Sequence, residues 1–102
     1  MLMTTVDRQD AARRLAHGLV EQGLAACAQV SSPLASVYRW RGTVEEAREW
    51  AVVVKTSRER LDAALAWLER EHPYEVPELA WWEIAAAPAY RDWAVGAVEE
   101  GR

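Results

Sequence analysis

The chain has no phenylalanine and no asparagine, and only one cysteine and one lysine among its 102 residues. A single cysteine excludes an internal disulfide and suits a reducing compartment. Five glycines and four prolines are too few for a collagen-like or low-complexity chain. No apolar run approaches the roughly 18 residues a membrane span needs. The opening residues, Met1 to Arg8, lack a basic segment followed by an apolar one. The expectation is therefore a cytoplasmic protein without a secretory leader or a membrane partner. Acids outnumber bases by 16 to 12, a net charge of −4, which disfavours nucleic acid as a partner. No P-loop, GxGxxG turn, HExxH helix or paired CxxC is present.

What is present is an ordinary globular composition, 51% hydrophobic and 27% charged, with six tryptophans. The length suits one domain over 1–102 that buries about 65% of its unfolded surface. Ala12, Leu15, Ala16, Leu19 and Val20 recur at helical spacing behind Asp7, which can cap the helix, and Asp10 in its acidic first turn, and Gly23 supplies a stop. Leu24–Val30, Val37–Arg41 and Trp50–Lys55 read as strands, and Val44–Glu49 as the arm of a hairpin rather than a helix. Thr56 and Glu59 form a capping-box pattern ahead of Leu61, Ala64, Leu65 and Leu68, a second helix that ends before Pro73. Leu79–Ile84 reads as a strand, and Pro88 opens a third helix. With a weak first strand over Met1–Val6, the order begins β-α-β-β-α-β. That is an α+β, ferredoxin-like sandwich carrying an added C-terminal helix.

The strands are apolar on both sides, with Trp50, Val52 and Val54 on one face and Ala51 and Val53 on the other. Such strands need both faces covered. The implied solution is a homo-oligomer packed through the sheet, with Tyr38, Trp40, Trp50, Trp81 and Trp82 in or near the contact.

The densest polar cluster is His72-Pro73-Tyr74-Glu75-Val76-Pro77-Glu78. Its prolines hold His72 and Val76 extended, so an imidazole, a phenol and two carboxylates sit on a stiff link. Imidazole with carboxylates suits Cu²⁺ or Zn²⁺, or an acid/base pair; turn-making alone is the plainer alternative. Cys27 lies in an apolar run and reads as packing, and His17 with Glu21 reads as a solvated helical pair. Arg39, Arg41 and Lys55 are the basic groups nearest the strand aromatics. The segment Trp50–Lys55 lacks the pattern of an RNA-binding strand.

Taken together, Leu24-Ala25-Ala26-Cys27, Tyr38-Arg39-Trp40-Arg41-Gly42, Lys55-Thr56, His72 to Glu78 and Tyr90-Arg91-Asp92-Trp93 resemble the CutA divalent-cation-tolerance proteins from about Thr4 to Trp93. The resemblance implies a ferredoxin-like fold, a tight homotrimer whose strands join between subunits, and a role in tolerance of copper or other divalent cations. It attaches no enzymatic reaction. Some bacterial members are assigned copper ligands at a cysteine ending the first strand and at a His-His pair. Those positions fall on Thr4 and on Glu71-His72, so only His72 is retained.

Three functional expectations follow. The first is a trimer that requires no cofactor and binds Cu²⁺ or Zn²⁺ weakly through His72 with Glu75 and Glu78. The second is a sensing trimer that holds a small anion against Arg39, Arg41 or Lys55 in clefts between subunits. The third is a partner-binding scaffold. Catalysis is not expected, because no substrate or nucleophile is indicated.

Overall fold

The computed structural model describes residues 1–100. Its elements are β1 (Leu2–Val6), α1 (Gln9–Glu21), β2 (Cys27–Val30), β3 (Leu34–Trp40), β4 (Thr43–Lys55), α2 (Arg58–Glu71), β5 (Ala80–Trp81) and α3 (Pro88–Glu100). The antiparallel sheet runs β2-β4-β1-β5. Its two β-α-β units interleave, which is the ferredoxin-like arrangement. Strand β3 stands outside this path and, among the described residues, pairs only with β4.

The register explains the core. Leu2, Thr4 and Val6 face the same way as their partners Val54, Val52 and Trp50, because side chains alternate along a strand. On that face Leu15 and Leu19 of α1 and Ala64 and Leu68 of α2 are fully buried against Leu2, Val6, Val52 and Val54. Each large aliphatic side chain so placed contributes about 1.5–3 kcal/mol. The opposite face carries Ala51, Val53 and Lys55. The α3 helix reaches it, with the Tyr90 ring 5.7 Å from Lys55 Nζ. Ala51 is buried and Val53 half-buried.

Both helix starts differ from the expected caps. Arg8, not Asp7, is the N-cap of α1, and Asp10 is held by the Arg8 guanidinium at 2.9 and 3.0 Å. Ser57, not Thr56, caps α2 by accepting from the Arg60 amide. The Thr56 hydroxyl instead donates to Leu24 O at 2.6 Å, fastening the turn after α1 to the start of α2. Leu24 and Ala25 are buried in that turn rather than in a strand.

The first half of β4, Thr43 to Glu49, pairs with β3 alone, with Tyr38 opposite Glu45 and Leu34 opposite Glu49. The hairpin arm thus exists, but it projects from the sheet. The turn between Trp40 and Thr43 is two residues, Arg41 at φ 50° and Gly42 at φ 82°. Positive φ at both positions is what a tight type I′ hairpin needs. The last strand is shorter than expected, Ala80–Trp81. It pairs with Met3 and Leu2 and is continued by a reciprocal pair at 2.9 Å, the Trp82 amide donating to Met1 O and the Met1 ammonium donating to Trp82 O. No helix among the described residues is long and apolar enough to cross a membrane.

Candidate functional site: an acidic, aromatic cleft under the hairpin

Pro73 forces His72 off the end of α2 into extended backbone, φ −72° and ψ 135°. That turn sends the imidazole back into the sheet, where the residue is 7% exposed. Nδ1 accepts the Tyr74 amide N–H at 3.1 Å. Nε2 therefore carries the proton and donates it towards Thr5 O at 3.0 Å and Thr4 Oγ1 at 2.9 Å. Burial is the main cause that lowers the His72 pKa from its ordinary value; the hydrogen bond to Thr5 and the Glu49 charge oppose it.

Tyr74 continues the chain of contacts. Its ring meets the imidazole edge-on, centroids 4.9 Å apart. Its hydroxyl donates to Glu49 Oε2 at 2.5 Å. Burial first, and then that hydrogen bond and charge, push the phenol well above its ordinary pKa. Thr4 and Thr5 of β1, His72, Tyr74 and Glu49 of β4 thus form one connected latch. It pins the proline-bounded loop to two strands.

The latch closes one end of a cleft of about 740 Å³. One wall is the inward face of the hairpin, where alternation places Tyr38 and Trp40 beside Glu45 and Glu49. The other wall is the Tyr74–Glu78 loop, with Thr5 and Asp7 between them. Five carboxylates and three aromatic rings line the space. It suits a cation and repels anions.

The expected ligand set is not assembled. Both nitrogens of His72 are committed to protein hydrogen bonds, so the ring has no free lone pair for a metal. Glu75 lies 3.7 Å from Arg41, both about three-quarters exposed, a pairing worth little in water. Glu78 is exposed on the same loop. Among the described residues no three His, Cys, Asp or Glu side chains form a metal-holding group. The anion set is not assembled either. Arg39 donates to Gly42 O at 3.3 Å and Arg41 stacks over Trp40 at 5.3 Å, both at the hairpin tip. Lys55 donates to Gln29 at 3.0 Å at the far end of β4, ~40 Å away along an extended strand. One chain cannot bring the three to one anion.

Of the expected contact aromatics, Tyr38 and Trp40 line the cleft and are about 40% exposed, and Trp81 and Trp82 are 54% and 45% exposed. Trp50 is partly buried against the core, with an indole N–H that has no partner among the described residues. Sequence reasoning missed Glu49, Glu45, Asp7, Thr4 and Thr5. The available signal was the spacing of Glu45 and Glu49, an even number apart in a hairpin arm and so on one face.

Comparison with known proteins then decides the family. A family model described as CutA1 divalent ion tolerance protein matches residues 1–97. The chain belongs to the CutA1 family. It is 37% identical over 94 residues to the divalent-cation tolerance protein CutA of Thermus thermophilus, covering 91% of each chain. The solved Thermus structure superposes with a TM-score of 0.89 over 94% of both chains. CutA of Synechococcus elongatus PCC7942 gives 0.89 at 42% identity, over 95% of this chain and 87% of that one.

These CutA relatives also correct the expected cytoplasmic location. An Archaeoglobus fulgidus CutA, 30% identical with a TM-score of 0.90 over 95% of each chain, is described as periplasmic. A rice relative, 34% identical over 79 residues (78% of this chain and 45% of that protein), is chloroplastic. The fold serves more than one compartment, so a lone cysteine and an ordinary first segment do not fix its place.

Proposed function

We propose that this CutA-family chain serves divalent-cation tolerance as a homotrimer that binds a divalent cation weakly through Glu75 and Glu78. The observation that carries this reading is the open, carboxylate-lined cleft whose rim these two side chains occupy. Both are exposed and close in sequence on a loop stiffened by Pro73 and Pro77. Two solvated carboxylates give a site of low affinity, and any N/O site of this kind ranks Cu²⁺ above the other first-row divalent ions. His72 acts in this reading as the support of the loop. Binding, rather than catalysis, is the role proposed, since the one imidazole near the carboxylates is tied up in structural hydrogen bonds.

Trimerisation is supported by the apolar surface one chain leaves in water. Val37, Val44, Trp81, Trp82, Ile84 and Trp93 are each between 45% and 67% exposed, and apolar surface on this scale marks an interface. Light scattering is expected to return three times the 11.5 kDa of one chain.

The test of the site is a calorimetric titration of the metal-free protein with Cu²⁺ and Zn²⁺. Glu75→Gln/Glu78→Gln is expected to weaken Cu²⁺ binding at least tenfold. An isotherm unchanged in that variant would rule the rim site out.

A further inference from the structure

The hairpin turn carries a side chain that a turn alone does not need. Arg41 takes φ 50°, and no other non-glycine among the described residues has a positive φ. The first central position of a type I′ turn ordinarily goes to Asn, Asp or Gly, because a bulkier residue strains the backbone there. A strained residue kept against a better local choice points to work done by its side chain. The Arg41 guanidinium lies over the Trp40 ring at 5.3 Å and 3.7 Å from Glu75 Oε2. Arg39, its neighbour in the hairpin, instead turns inward and donates to Gly42 O at 3.3 Å. Among the described residues, the contact with Glu75 is the one side-chain hydrogen bond or ion pair that ties residues 40–43 to another part of the fold. It bridges the two walls of the cleft, hairpin and loop. Both partners are about three-quarters exposed, so the tie is weak and open to exchange.

We propose that the Arg41–Glu75 pair is a strap opened by a divalent cation: the ion takes the Glu75 carboxylate, Arg41 is expelled, and the hairpin tip comes away from the loop. The strap acts at the rim carboxylates and so rests on their reading as the cation site. Charge is the reason. A guanidinium held on Glu75 repels an incoming dication and occupies the oxygen it needs. Arg41 therefore competes with the metal and lowers its affinity, whereas Arg39 stays within the hairpin and is not displaced.

The test is calorimetric titration of the full, metal-free chain with Zn²⁺ at constant ionic strength, for the wild type, Arg41→Asn and the control Arg39→Gln. Asparagine suits the turn, so Arg41→Asn relieves strain and keeps the hairpin. It is expected to tighten Zn²⁺ binding about two- to fivefold, the range an exposed ion pair supplies, and Arg39→Gln to change it less. Saturating Zn²⁺ is also expected to speed amide exchange at residues 40–43 of the wild type and to leave that of Arg41→Asn unchanged. An affinity unchanged or weakened in Arg41→Asn would overturn the strap while leaving the rim site standing. An equal gain in Arg39→Gln would reduce the effect to general charge and sink it as well. Dissociation of the oligomer in Arg41→Asn would do the same, because the tip would then belong to the subunit contact. No saturable Zn²⁺ binding in any of the three proteins would overturn the rim site and the strap together.

Discussion

The Tyr74 hydroxyl and Glu49 Oε2 meet at 2.5 Å across 25 residues of sequence, and that bond couples the proline-bounded loop to the strand forming the cleft wall. Its two ends are not equivalent. Tyr74→Phe strips the Glu49 carboxylate of this hydrogen bond and is expected to cost about 1.5–3 kcal/mol. Glu49→Gln keeps an acceptor for the Tyr74 hydroxyl and is expected to cost less than Tyr74→Phe. Urea denaturation of both variants measures the asymmetry. Equal losses would contradict it.

His72 gives a pH dependence of defined sign. Its pKa is lowered in the folded protein, so the unfolded chain takes up a proton at higher pH than the folded one. The stability tied to the neutral ring is complete above the ordinary value of 6.5. It falls as the pH drops through that value and on through the depressed folded one. Denaturation midpoints are expected to decline as the pH falls from neutrality into the acid range, and to decline less in His72→Gln. A profile identical in that variant would assign the effect to other groups.

Gly18 tests how α1 meets α2. A Cβ built there would lie 2.5 Å from two ring carbons of Trp67. Glycine to alanine inside a helix is normally favourable by about 1 kcal/mol; here overpacking reverses the sign, with an expected cost of about 1–3 kcal/mol. Trimming the indole in Gly18→Ala/Trp67→Leu is expected to cost less than the sum of the two single substitutions, measured by a double-mutant cycle.

Gly42 tests the hairpin tip separately. A Cβ at this position meets nothing within 4 Å, but φ is +82°, so the penalty of Gly42→Ala is backbone strain alone, about 1–2 kcal/mol. The expected loss is confined to the arm: amide exchange speeds up in β3 and the first half of β4 while the core strands keep their protection. Uniform acceleration would contradict an arm that folds on β4 alone.

Ser57→Ala is expected to cost about 1 kcal/mol through the lost cap of α2, against little effect of Asp7→Ala on α1, whose cap residue Arg8 makes no side-chain cap bond. Thermal denaturation distinguishes the two.

The element order and the helix-facing core were legible in the sequence because each rests on a local period: Leu15 with Leu19, Val52 with Val54. Cap identity was less so, since Thr56 and Ser57 are both capping types; what separates them here is the distant carbonyl of Leu24, which claims the Thr56 hydroxyl. The cleft was half legible. The stiff polar loop from His72 to Glu78 announced itself through its prolines, and the family motifs pointed to it. The fate of His72 was hidden because its partners, Thr4 and Thr5, lie nearly seventy residues away and become neighbours only through the pairing of β1 with β4. Glu49 was hidden for the same reason: a glutamate in a helix-prone, charged stretch reads as solvent-exposed until Tyr74 closes over it.

In the proposed reading His72 holds the loop and the cation goes to Glu75 and Glu78, and the most direct test is nitrogen NMR of the His72 ring during titration of the metal-free protein with Zn²⁺. The expected result is an Nε2–H tautomer whose ring resonances stay fixed at saturating metal while Glu75 and Glu78 shift. Zn²⁺-dependent movement of either His72 ring nitrogen would contradict the account and make the imidazole a ligand.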